Sequence, residues 1–77
     1  MPTITVTVLR DGEPASGHRV ALGFSGPDGG MSDAEYTDSD GVAEFDVEGG
    51  QEGDVFVDGR NVDSWGSYNA TDITVEL

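Results

Sequence analysis

The sequence predicts an all-β fold: a small antiparallel β-sandwich of six to seven strands in a single domain spanning residues 1–77. Apolar and polar residues alternate with a period of two in several short runs, and glycine, proline and aspartate separate these runs. No window of about 11 residues keeps apolar groups at helical spacing without a glycine in it. A chain of 77 residues is also too short to divide its core between two domains.

The first half of the chain predicts three strands. Residues 3–9 (TITVTVL) alternate threonine with apolar, mostly β-branched residues, which suits a half-buried strand. The segment RDGEPASG then predicts a turn. HRVALGF places Val20, Leu22 and Phe24 on one face, and residues 25–33 predict a flexible, glycine-rich loop before a short strand, AEYT.

The second half predicts three more strands. In VAEFDVEGG, the apolar side chains share one face and the carboxylates of Glu44, Asp46 and Glu48 form a stripe that must face water. DVFVDG places Val55 and Val57 on one face and Phe56 on the other, before an Asp-Gly turn. TDITVEL supplies the closing strand, again with alternating side chains.

Charge is the strongest compositional signal. The chain carries 16 acidic residues, three arginines and no lysine, for a net charge of −13. This composition excludes a basic face for nucleic acid or anionic lipid, so we expect neither nucleic acid nor a membrane as partner. A lysine-free chain rich in aspartate resembles proteins of salt-in halophiles, whose surroundings screen charge over about 3 Å. The alternative is an acidic protein from a high-GC genome without salt adaptation.

Targeting signals and cysteines are both missing from the sequence as written. Without cysteine, neither disulfides nor thiolate metal sites can stabilise the core. No stretch resembles a signal peptide or a transmembrane span. We therefore expect cytoplasmic synthesis, with the chain used where it is made or cut from a longer one, and the location of the mature protein stays open.

A series of spaced glycine, proline, aspartate and apolar residues extends from Gly12 to Gly59. Gly12-x-Pro14-x-x-Gly17-x-x-Val20-x-Leu22 is followed by Thr37-Asp38-x-Asp40-Gly41-x-Ala43-x-Phe45 and later by VFVDG. This pattern resembles the transthyretin-like, or carboxypeptidase-regulatory-like, β-sandwich modules, and the resemblance implies a transthyretin-like or Ig-like sandwich. The resemblance implies a module that binds, spaces or decorates and is seldom a catalyst. The lysine-dependent isopeptide crosslink of the related collagen-adhesin B-type modules is impossible here.

The segment YTDSDGVAEF raises the question of a calcium site. An EF-hand loop with Gly41 at its sixth position would need oxygen ligands at Tyr36 and Val47, which do not fit. A looser site could use Asp38, Asp40 and Glu44. The alternative is a turn in which the aspartates accept hydrogen bonds from backbone amides and Gly41 supplies a positive φ, and the turn is the favoured interpretation.

Residues 58–71 (DGRNVDSWGSYNAT) have a richer composition than a turn needs. Three roles remain open for their aromatic residues: Trp65 closes one end of the sandwich, Trp65 anchors a protein contact, or Trp65 and Tyr68 form a platform for sugar rings. The polar neighbours in the contact or sugar interpretation are Arg60, Asn61 and Asn69. The expected contact surface combines this segment with the loop of residues 25–33.

The sequence offers little evidence for a catalytic site. His18 is the only histidine, and it is expected to be structural because no serine is placed to form a hydrolytic triad with it. We expect no enzyme activity and no cofactor. The leading hypothesis is a structural or protein-interaction module that decorates or joins a larger assembly, such as a virion capsid or tail or a cell-surface appendage. Its partner would be that assembly or another copy of itself. The alternative is a carbohydrate-binding accessory module.

Overall fold

The computed structural model describes residues 3–26, 29–66 and 71–77. Within them the chain forms eight strands. They are β1 (Thr3–Arg10), β2 (Glu13–Pro14), β3 (Arg19–Phe24), β4 (Glu35–Tyr36), β5 (Val42–Asp46), β6 (Glu52–Val57), β7 (Arg60–Gly66) and β8 (Asp72–Glu76). The described part of the chain contains no helix with the length and apolarity that a membrane span requires.

The first sheet is built around β1. Strand β5 pairs with the beginning of β1 and β2 with its end, both antiparallel, while β8 pairs with β1 on the other side. The pairing of β1 with β8 is parallel, which corrects the prediction of a purely antiparallel sandwich. The alternation of apolar residues has the same period in parallel and antiparallel strands, so it could not reveal the direction of β8.

The second sheet has the order β4-β3-β6-β7, and all of its pairs are antiparallel. The pairing of β6 with β7 shifts register between Val55 and Phe56, so Val62 has no partner in the register. This irregularity is a β-bulge, which inserts an extra residue into one strand and bends it.

Eight strands replace the predicted six to seven because two segments assigned to turns pair with neighbours. Strand β2 is only two residues long and contains a proline, which is tolerated at a sheet edge. Strand β7 lies within the segment that was predicted to be an aromatic loop. Five of its seven residues are exposed and the bulge breaks its alternation, so it lacks the usual sequence signal of a strand.

The core lies between the two sheets. Nearly all of its residues come from the inward positions of the alternating strands, as the sequence predicted. They are Ile4, Val6, Val8, Val20, Leu22, Ala43, Phe45, Val47, Val55, Val57, Trp65, Ile73 and Val75. The stripe of Glu44, Asp46 and Glu48 is exposed, also as predicted.

Thr37 and Gly41 of the Thr-Asp-x-x-Gly motif have structural roles. The Thr37 hydroxyl, which is buried, donates to the carbonyl of Ala15 at 2.7 Å and accepts from the amide of His18 at 3.0 Å. Gly41 has a φ of 75°, and a Cβ there would lie 2.6 Å from the carbonyl oxygen of Val8. Threonine and glycine therefore hold the segment before β5 against the β2 region and β1.

Candidate interaction surface

Asp38 closes a turn within the segment YTDSDGVAEF. Oδ1 of Asp38 accepts hydrogen bonds from the amides of Asp40 at 2.9 Å and Val42 at 3.0 Å, and the Gly41 amide donates to the Asp38 carbonyl at 2.9 Å. Glu44 lies on β5, beyond this turn. Among the described residues, no three histidine, cysteine or acidic side chains are grouped to hold a metal ion. The structure thus places Asp38 in the turn and does not gather the three calcium candidates.

His18 pairs with Asp58 in the turn between β6 and β7. The ring nitrogen Nδ1 lies 2.8 Å from Oδ2 of Asp58, and it is the donor because an ionised carboxylate only accepts. Oδ1 accepts from the amide of Arg19 at 3.2 Å. The hydrogen bond from His18, together with the Arg19 amide and the charges of His18 and Arg10, holds the pKa of Asp58 below its usual value. The pair fixes the position of this turn against β3.

Trp65 is buried, with 3% of its surface exposed. Its indole Nε1 donates to the carbonyl of Gly23 at 3.0 Å, and its ring packs edge to face against Phe24 with centroids 5.5 Å apart. The ring therefore joins β7 to β3 across the intervening strand β6 of the same sheet, and it is buried as the first of the three roles requires. So little of the ring is exposed that it offers almost no area to a protein or a sugar, and its role as a partner contact stays a prediction.

The other predicted contact residues are distributed differently. Arg60 and Asn61 lie on β7 and are exposed. Tyr68 and Asn69 lie outside the described residues, as do Pro27 and Asp28 of the glycine-rich loop. Among the described strands only β6 pairs with β7, so the other side of β7 is an edge of the second sheet. The structure thus brings Arg60 and Asn61 to the surface and separates them from Trp65.

The outward face of the second sheet carries a cluster that the sequence analysis did not single out. A Cβ on Gly23 would lie 2.9 Å from Cε1 of Phe56 and 3.4 Å from Sδ of Met31, so both side chains cover Gly23 from outside. Tyr36 lies in register with Arg19 on the same face. Met31 is 55% and Tyr36 64% exposed. We call this surface the apolar face; it comprises Arg19, Ala21, Met31, Tyr36, Glu52, Asp54, Phe56 and Asn61.

The outward face of the first sheet has the opposite character. Threonines of β1 form its central column, and carboxylates of β5 and β8 flank them: Thr5 lies between Glu44 and Asp72 in register. We call this surface, comprising Thr3, Thr5, Thr7, Glu44, Asp46, Asp72, Thr74 and Glu76, the acidic face. It carries four carboxylates and no cationic side chain, whereas the apolar face carries one arginine, Arg19, and two carboxylates, Glu52 and Asp54.

A cleft of about 260 Å³ opens between the sheets beside β4 and β5. Phe24, Phe45 and Val47 contribute its apolar lining, and Ser32, Asp33, Glu35, Glu44 and Asp46 its polar lining. Leu22 donates its amide to the Ser32 hydroxyl at 2.9 Å, which holds this wall of the cleft against β3. The cleft is therefore strongly acidic but contains no grouped ligands for a metal.

In comparisons with known proteins, no protein-family model, no curated protein and no solved structure matches the chain. The architecture, two four-stranded sheets packed as a small β-sandwich, is what the structure shows. The apolar face is accordingly identified from its own chemistry. One signal for it was present in the sequence, because the parity of DVFVDG places Phe56 opposite Val55 and Val57 and hence away from the core.

Proposed function

We propose that this chain is a non-catalytic protein-interaction module of the transthyretin-like type, which joins a larger protein assembly through its apolar face. The observation that carries the proposal is the contrast between the two outward faces. On a chain with a net charge of −13, Met31, Tyr36 and Phe56 cluster on the face where charges are fewest. Methionine and aromatic residues are enriched at protein interfaces, and charged residues are depleted at the centres of interfaces.

The polar residues around the cluster suit the same role. Arg19 is in register with Tyr36, and Asn61 with Phe56, so each lies beside an aromatic ring on the outward face. An arginine next to an exposed aromatic ring is a frequent hot-spot combination. Asn61, predicted from the sequence to contact a partner, thus keeps that role on a different surface from the one expected.

The transthyretin-like assignment rests on the motif and its physical roles. Thr37 and Gly41 tie the segment before β5 to β1 and to the Ala15–His18 segment, and Ala43 and Phe45 enter the core. The sugar-binding alternative loses support because the Trp65 ring is buried. A virion particle or a surface appendage is the kind of assembly that the proposal includes.

Site-specific photo-crosslinking in the cells that make the protein tests the proposed function. A photo-crosslinking amino acid replaces Met31 on the apolar face, and in the matched control it replaces Thr5 on the acidic face. Both positions lie on sheets, and both substituted chains are checked for folding by circular dichroism. We expect a discrete adduct from position 31 and none from position 5. Equal labelling at both positions, or none at position 31, would contradict the proposal.

A further inference from the structure

We propose that the partner that covers the apolar face is a second copy of this chain, packed face to face about a two-fold axis. This inference rests on the proposed function, because it assigns a partner to the same surface. Its first support is charge. Two copies that each carry a net charge of −13 repel one another, and they can approach most closely through a broad surface with little net charge. The apolar face, with Arg19 against Glu52 and Asp54, carries a net charge of only −1, compared with −4 on the acidic face.

The second support is the arrangement of two of these charges, Arg19 and Asp54. Arg19 begins β3, and Asp54 lies on β6 in register with Gly23, four residues further along β3. At about 3.4 Å per residue, these two charges lie roughly 14 Å apart along the strands. The midpoint between them is the level of Ala21 and Phe56, which are in register with each other.

A two-fold axis that crosses the strands at this midpoint makes the face complementary to itself. It reverses the strand direction, so Arg19 of one copy lies at the level of Asp54 of the other. The lateral offset is one strand spacing, about 4.8 Å, which an arginine side chain can span. Because the contact is isologous, the same pair occurs twice.

The apolar residues obey the same symmetry. Tyr36 is in register with Arg19, and Met31 with Gly23, both on the side of β3 away from β6. The two-fold axis therefore places Tyr36 of one copy over Met31 of the other, a favourable contact between sulfur and an aromatic ring. Phe56 lies close to the axis and meets Phe56 of the second copy, where offset aromatic packing is favourable.

The dimensions of the molecule limit the area that such a dimer can bury. The molecule measures 35 × 21 × 17 Å, so one face offers at most on the order of 700 Å² per copy, slightly less than a standard interface of about 800 Å². A reversible dimer is therefore expected, as in transient complexes at the small end of the range of interface sizes. The acidic faces of both copies point outward in it and stay available to the rest of an assembly.

Sedimentation equilibrium in about 0.3 M KCl tests this arrangement by charge reversal, since the Debye length of about 6 Å still leaves contacting charges coupled. R19D and D54R should each weaken the dimer at least about tenfold, because each places two like charges together twice. The double variant R19D/D54R should recover it. A mixture of the R19D and D54R proteins should form a heterodimer more readily than either protein dimerises alone.

Matched controls separate the face from net charge and from folding. E44R changes the net charge as D54R does but lies on the acidic face, and R60D changes it as R19D does but lies on the β7 edge; neither should weaken the dimer. Because R19D places a carboxylate near Asp58, the uncharged variant Y36S/M31Q provides a second test and should also weaken it. Circular dichroism confirms that each variant is folded.

Two results would overturn the inference. One is a monomer at all concentrations up to about 1 mM, and the other is a dimer that R19D, D54R and Y36S/M31Q leave unchanged. The crosslinking experiment separates this failure from failure of the proposed function. An adduct from position 31 with the mass of two chains supports the dimer, whereas an adduct with a different protein keeps the proposed function and removes the second copy as partner.

Discussion

Single polar side chains hold the loops of this small sandwich in place. Thr37 joins the Ala15–His18 segment to the chain before β5, Asp38 closes its own turn, and Asp58 joins the β6–β7 turn to β3 through His18 and Arg19. Each of these side chains makes two hydrogen bonds. Without disulfides, such contacts carry much of the task of ordering the loops.

The hydrogen bonds that Asp58 accepts make the free energy of unfolding depend on pH. Because the pKa of Asp58 is lower in the folded protein than the ordinary value of 3.8, its contribution is complete above about pH 3.8 and is lost as pH falls through the folded value. D58N should lower the free energy of unfolding at pH 7 by less than about 1 kcal/mol, since the carboxylate is half exposed. Urea titrations at pH 7 and pH 2.5 should show this difference shrinking towards zero at the lower pH.

The matched control for D58N is D40N. Asp40 is an exposed carboxylate in a turn, and among the described contacts only its backbone amide, not its side chain, takes part in a hydrogen bond. D40N should therefore leave the free energy of unfolding within about 0.5 kcal/mol of the wild type at both pH values. If D58N and wild type differed by the same amount at pH 7 and pH 2.5, the loss would not come from an ionised Asp58.

Among the elements, those with clean alternation could be predicted from the sequence. Strands β1, β3, β5, β6 and β8 lie where period-two patterns placed them, because each has one face in the core. Strand β7 could not be predicted, since its bulge interrupts the alternation and its position at an edge leaves most of it in water. The direction of β8 depends on contacts with β1 that are distant in sequence, which local patterns do not encode.

The candidate surface was predictable only in part. Arg60 and Asn61 are exposed as expected, but the aromatic residues of the surface are Tyr36 and Phe56 instead of Trp65. A single tryptophan has the same sequence signature whether it fills the core or faces a partner. The hydrogen bond of Trp65 to Gly23 and its contact with Phe24 depend on the pairing of β6 with both β3 and β7, which local sequence does not encode.

Strand β7 should depend on Trp65 for its attachment. W65F removes the hydrogen bond to Gly23 and part of the packing against Phe24, so the free energy of unfolding should fall by about 1–3 kcal/mol. Hydrogen exchange measured by mass spectrometry should become faster in β7 and stay unchanged in β1. This pattern is expected because the ring joins β7 to β3 without reaching the first sheet through any described hydrogen bond.

Y36F serves as the control for W65F, because Tyr36 is an exposed aromatic residue of the same sheet. It should change the free energy of unfolding by no more than about 0.5 kcal/mol. A W65F variant as stable as Y36F, with unaltered exchange in β7, would show that the indole does not anchor this strand.

Across the whole molecule, charge is distributed unevenly. Arg10 ends β1, Arg19 begins β3 and Arg60 begins β7, and these ends meet at the turn that holds His18 and Asp58. At the opposite end, the described residues include no cationic side chain. The repulsion between carboxylates there and on the acidic face can be screened only by ions from solution.

Salt should therefore stabilise the fold. The net charge of −13 over a surface of 4596 Å² leaves one net negative charge for about every 350 Å², so average repulsion is moderate. On the acidic face, Glu44 and Asp72 lie only two strand spacings apart, roughly 10 Å, which is close to the Debye length of about 8 Å in 0.15 M salt. The melting temperature should rise by several degrees between about 0.15 M and 2 M KCl.

Two variants locate the source of the salt effect. E44Q/D72N removes the two carboxylates that flank Thr5 on the acidic face, and it should raise the melting temperature in 0.15 M KCl and reduce the gain from added salt. D54N removes a single carboxylate that lies outside the acidic face, so the gain should persist. A general effect of salt on apolar burial would act equally on all three proteins. If the melting temperatures of all three proteins rise equally with salt, carboxylate repulsion on the acidic face is not the cause. If the rise is lost only in E44Q/D72N, the salt effect comes from carboxylate repulsion on that face.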